Sequence, residues 1–211
     1  TFHDEVILSG SGDTFYDTSF VWVKSLESIP LSNGRIIAGP WEIGPNYIPF
    51  KNQMKISFSA EKLKSHATEK TAIYYYNPKN QAWYFMPTQF SKTDSIYSTS
   101  VLSGEIFALV EELNPPKIQQ IRPRLNQTYS QNNAGNIQFI IKDDMSGIDG
   151  ENDVTLEINQ QKVIHEYNSY RREISYTFEN ELNQGLNDIN IIVIDKVGNS
   201  SEITGTWYLK N

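Results

Sequence analysis

Apolar and polar positions alternate along this chain in short runs. No stretch holds a helical period for three turns, so the pattern predicts an all-β protein. In the first half the candidate strands are Phe20 to Val23, Arg35 to Ala38, Met54 to Ser59, Ala72 to Tyr76, Trp83 to Met86 and Ile106 to Val110. Asn77-Pro78-Lys79-Asn80-Gln81 joins two of them as a hairpin loop, with Pro78 suited to the second position of a turn. Residues 60–71 are polar and read as a loop. In the second half the runs are Ile118 to Ile121, Asn136 to Ile141, Val154 to Ile158, Lys162 to Ile164, Glu173 to Phe178 and Asp188 to Ile194, with a last strand ending at Trp207-Tyr208-Leu209.

Between the halves stands Glu111-Glu112-Leu113-Asn114-Pro115-Pro116-Lys117. Adjacent prolines lack backbone donors and hold the preceding residue extended, so one sheet is expected to stop here. The 211 residues suffice for two domains, each with its own core. The expected division is an aromatic-rich sandwich over 1–112, a proline-containing linker over 113–117 and a second sandwich over 118–211. About seven strands in roughly 95 residues is the spacing of an immunoglobulin-like or fibronectin type III-like sandwich. The fold class expected is therefore all-β, two tandem β-sandwiches.

Composition excludes more than it reveals. The net charge is −7 and no Lys/Arg cluster is present, which argues against a nucleic-acid partner or an anionic-membrane patch. With no cysteine there is neither a disulfide framework nor thiolate metal chemistry. The apolar runs are too short to insert in a membrane. The chain opens at Thr1 without an initiator methionine, as a piece or processed product of a longer parent would. A monomer is expected.

Two resemblances refine this picture. Trp41-Glu42-Ile43-Gly44-Pro45, Pro49-Phe50, the Met54 to Phe58 and Ala72 to Tyr76 strands, Trp83 and a closing Gly104 to Leu109 resemble the ZU-type β-sandwich over about residues 35–110. Some members of that group cleave themselves at a His-Phe-Ser tripeptide. Here Val101-Leu102-Ser103-Gly104 stands in its place, and with no histidine as base self-cleavage is not expected. In the second half, Pro115-Pro116, Asp143 to Ile148, Leu182 to Gly185 and Asp195 to Asn199 resemble bacterial immunoglobulin-like repeats of exported proteins. The combined order is similar to C-terminal accessory regions of secreted hydrolases, including lysostaphin-type metallopeptidases. The resemblance implies an exported location, periplasmic, cell-surface or secreted, and domains of a parent protein as partners.

Candidate chemistry is sparse. Asp143, Asp144 and Asp149 concentrate carboxylates, and Asp195 with Asn199 could approach from another loop to give the oxygens calcium prefers. The spacing departs from the EF-hand pattern, and Asp and Asn also favour tight turns, so turn chemistry is the expected reading and calcium the alternative. No other cofactor is implied. Trp41, flanked by Gly-Pro breaks, is either a plug at one end of the sandwich, the expected reading, or a presented ligand contact. Period-two alternation separates Tyr74 and Tyr76 from Tyr75, and one face is core. The other face would display Tyr75 and Tyr84, either as ordinary cross-strand pairing or as a stacking platform for sugars. His3, His66 and His165 are scattered among polar segments and read as surface residues, not as a zinc site or triad.

The expectation is thus a non-catalytic accessory tandem of an exported bacterial protein, spacing or attaching a catalytic or adhesive parent. The alternative is a glycan- or cell-wall-binding module using Trp41, Tyr75 and Tyr84.

Overall fold

Alternating runs become facing sheets in each half of the chain. The computed structural model describes residues 5–46, 48–60, 70–130, 136–178 and 184–210. The chain divides into two compact units, Thr1–Asn114 and Pro115–Asn211. Each is a β-sandwich, and the second is immunoglobulin-like.

The first unit runs β1 (Val6–Ser9), β2 (Trp22–Ser25), β3 (Gly34–Gly44), β4 (Pro49–Ser59), β5 (Thr71–Asn77), β6 (Ala82–Phe85), β7 (Gln89–Ser91), β8 (Ile96–Ser103) and β9 (Ile106–Glu112). One sheet has the order β1-β4-β8-β7 and the other β2-β3-β9-β5-β6. Between them lie Ile43, Ile56, Phe58, Ile73, Phe107 and Leu109, all essentially without solvent contact. Burying such side chains stabilises by about 1.5–3 kcal/mol each, which is what fixes the register of strands whose side chains change face at every residue.

Two expectations need correction. Gly39-Pro40-Trp41 does not end a strand, because β3 continues through it with register shifts between Ile36 and Ala38 and between Ala38 and Trp41. Gly39, at φ 88°, supplies the left-handed residue such a bulge requires. The sheet faces are also assigned differently. Ile73 and Tyr75 turn toward the inter-sheet core, and the opposite face of β5 is covered as well. There Tyr74 is buried and donates to Glu112 (2.9 Å), and Trp83 Nε1 donates to the Pro30 carbonyl (3.2 Å). The polar stretch 61–69 and residue 47 lie outside the described residues, as does His66.

The second unit runs β10 (Lys117–Arg122), β11 (Thr128–Ser130), β12 (Ile137–Lys142), β13 (Val154–Ile158), β14 (Gln161–Lys162), β15 (Glu166–Asn168), β16 (Glu173–Tyr176), β17 (Gly185–Ile194) and β18 (Ser200–Lys210). Its sheets are β10-β12-β16-β15 and β11-β18-β17-β13-β14. Strict alternation on β12, β13 and β17 sends Ile137, Phe139 and Ile141, then Val154, Leu156 and Ile158, then Ile189, Ile191 and Val193 inward, where they meet Trp207. The long β17–β18 hairpin pairs continuously from Gly185 with Leu209 to Ile194 with Ser200. β11 pairs in parallel with β18, so one edge of that sheet is supplied by a segment early in the unit. β11 and β15 carried no expectation; each is three residues long, too short to show a period.

Candidate functional site

Trp41 is not presented to solvent. It is 3% exposed and lies on Phe58 with ring centroids 5.1 Å apart and planes 17° from parallel. β3 points it inward, so neither face of the indole reaches solvent.

Tyr75 and Tyr84 do meet. They are directly paired across β5 and β6, stacked at 5.1 Å with planes 20° apart, and the Asn80 amide donates to the Tyr84 hydroxyl. Tyr75 lines a cleft of about 700 Å³ at one end of the first sandwich, where the two sheets part. The second sheet contributes Tyr75, Asn77 and Phe107, and the first contributes Gln53 and Ser100 to Ser103. Asn46, Lys79 and Glu105 stand on the loops at its mouth.

Local structure explains why these side chains converge. β4 is bulged, with its register against β8 jumping between Pro49 and Met54, and the bulge is tied down where the Lys51 and Asn52 amides donate to the Thr14 carbonyl. Gln53 is pushed out beside the cleft as a result. The chain then crosses from β8 to β9 through Gly104 and Glu105 alone. Gly104 is required there, since a Cβ would strike the carbonyl oxygens of Ile43 and Pro45. The Glu105 carbonyl accepts from the Ile43 amide at 2.9 Å, which fixes the backbone that carries its carboxylate. Burial raises the Tyr75 phenol above its ordinary range, and the neighbouring Tyr84 and Glu105 add to the rise. A second depression of about 420 Å³ adjoins the cleft and shares Gln53 and Ser100 with it.

The structure splits the acidic group of the second unit. Asp144 is held by Lys117 at 3.0 Å and Lys142 at 2.9 Å, which keep its carboxyl below the usual range, and Asp149 lies 3.6 Å from Lys196. Neither faces Asp195. Asp143 and Asp195 do come together, with carboxylate oxygens within 4.8 Å. Asp143 accepts from the Met145 and Gly147 amides, and Asp195 from the Val197 and Asn199 amides and the Asn199 side chain. Both loops therefore carry the turn chemistry that Asp-x-x-x-Gly and Asp-x-x-Gly-Asn imply. Burial raises the Asp195 carboxyl and Asp143 adds to the effect, although the bonds from Asn199 and Val197 oppose it. Asn199 is 1% exposed and its Oδ1 has no hydrogen-bond partner.

His165 was expected at the surface and is buried; burial lowers its pKa. The Val163 and Glu151 backbones oppose that effect without giving either ring nitrogen a hydrogen bond of good geometry. His3 lies outside the described residues. No helix among the described residues is long and apolar enough to cross a membrane.

No family model and no curated protein matches this chain. Among solved structures, it is similar to the fibronectin(III)-like modules of Clostridium thermocellum CbhA, at 12% identity and a TM-score of 0.36, covering 75% of this chain and 86% of that one. It is also similar to the extracellular domain of a one-component system from B. thetaiotaomicron, at 11% identity and a TM-score of 0.31, covering 82% of this chain but 30% of the other. A further chain, the extracellular domain of a hybrid two-component system from B. thetaiotaomicron, is similar at 10% identity and a TM-score of 0.28, covering 86% of this chain and 26% of the other.

Proposed function

We propose that this chain is a non-catalytic accessory region of an exported or cell-surface bacterial protein, in which two closed β-sandwiches space, orient or attach a catalytic or adhesive parent. The observation that carries the reading is that each unit closes its own core. Its inward acidic groups also serve the fold: Glu111 pairs with Arg35, Glu112 accepts from Tyr74, and Asp195 caps its turn. A ZU-type origin for the first unit and a lysostaphin-type metallopeptidase parent are the finer form of this proposal, and both rest on the sequence motifs. A panel of chromogenic esters, glycosides and peptides tests it; turnover that survives purification and is lost on a single substitution would overturn it.

A second reading concerns calcium, narrowed to Asp143, Asp195 and Asn199. Two nearby carboxylates and a buried amide oxygen without a partner favour it. Calorimetric titration with calcium chloride should give heat that disappears in Asp143→Asn. Absence of heat and of thermal stabilisation would remove calcium from the proposal.

A further inference from the structure

We propose that the cleft of the first unit binds a linear neutral polysaccharide, with the Tyr75 ring under one sugar and Asn46, Gln53, Asn77 and Glu105 as its hydrogen-bonding rim. The inference goes beyond the accessory role, because a spacer needs no ligand. Three features carry it.

Tyr75 is a fixed platform. One side of its ring is taken by Tyr84, and its backbone sits opposite Phe107 in the sheet, so the surface it gives to the cleft is held before any ligand arrives. A rigid aromatic surface complements the C–H face of a pyranose at little entropic cost.

The rim has the right chemistry. Asn46 donates to Glu42 at 2.8 Å and Asn77 accepts from the Lys79 amide at 2.9 Å, which fixes two of the three carboxamides and leaves the Asn46 oxygen, the Asn77 NH2 and the Gln53 amide for a polyol, while the Glu105 carboxylate accepts from adjacent hydroxyls. Lys79 stands against two carboxylates, Glu105 and the Glu42 group that Asn46 holds, so the rim carries no positive excess to attract a sulfated, phosphorylated or uronic chain.

The shape suits a chain. The cleft is open and continues into the depression beyond Gln53 and Ser100, whereas a small metabolite would be enclosed. A proline-rich peptide, which offers carbonyls but few donors, would leave the Glu105 carboxylate and the amide oxygens unpaired on binding.

The test is affinity electrophoresis of the whole chain through gels containing laminarin, hydroxyethylcellulose, xylan or galactomannan, at low and high salt. At least one should retard the protein, equally at both salts. Tyr75→Ala should abolish the retardation, Tyr75→Phe should keep it, and Asn77→Ala should weaken it about 3- to 10-fold, the effect of one hydrogen bond. If Tyr75→Ala does not fold, Asn77→Ala and Glu105→Gln decide, and unchanged retardation in both would overturn the proposal. So would no retardation in any gel, retention lost at high salt, or retention displaced by a proline-rich peptide. These failures leave the accessory role standing, since only the enzyme assays bear on that.

Discussion

Trp41 lies flat on Phe58, ring centroids 5.1 Å apart, and joins the two sheets of the first unit from strands β3 and β4. Truncating it leaves a cavity the size of an indole. Trp41→Ala should cost about 3–5 kcal/mol, read as a lower midpoint in urea unfolding, whereas Trp41→Phe should retain most of the stability. A near-neutral Trp41→Ala would mean the indole is not core.

Asp195 is 3% exposed, and its raised carboxyl pKa means the folded state holds its proton more tightly than the unfolded chain. Ionisation therefore costs stability. As pH falls from neutral through the raised pKa toward the ordinary carboxylate value, this group's contribution should rise. In a calcium-free buffer, Asp195→Asn should remove that slope while keeping the turn, because an amide oxygen can still accept from Val197 and Asn199. Asp195→Ala leaves both amides unpaired and should lose about 1–3 kcal/mol. Melting curves across about pH 3 to 8, which brackets the carboxylate and imidazole reference values, separate the two variants.

His165 acts in the opposite sense. Burial depresses its pKa, so the unfolded chain takes up the proton first. The stability present above the free imidazole value of about 6.5 should be lost as pH falls through the depressed folded value. His165→Gln should flatten that limb, and an unchanged acid limb would assign it to other groups.

Gly104→Ala should destabilise the first unit by about 1–3 kcal/mol, because its Cβ has only the carbonyls of Ile43 and Pro45 to meet. Gly12, in the same unit, has open space and should accept alanine with little change. Thermal melts of the two variants check the contrast.

Much of the fold was legible where alternation was clean. β12, β13 and β17 need only their period, and the Asp195 to Asn199 turn declares itself through its side chains. β8 did not, because the inward Tyr97, Thr99 and Val101 alternate with Ser98 and Ser100 in a run crowded with hydroxyls; the Thr99 hydroxyl donates to the Pro87 carbonyl at 2.8 Å. Around Trp41 the backbone misled, although the side chain is buried as the plug reading required. Glycine and proline around it suggest a loop, but in a bulged strand they serve the backbone while the indole serves the core. The cleft was beyond reach of any local pattern, since Gln53, Tyr75, Ser100 and Glu105 come together only through a bulge and a sheet-to-sheet crossing. Tyr75 and Tyr84 pair across their strands, on a face other than the one expected.

The pairing of β18 with both β17 and β11 sets the order of events when the second unit is synthesised. Trp207 and the strand that closes the β11 edge are the last pieces of this sandwich to leave the ribosome. Until they emerge, the apolar faces of β12, β13 and β17 lack their lid. The unit is therefore expected to stay open through most of its translation and to close only once β18 has emerged.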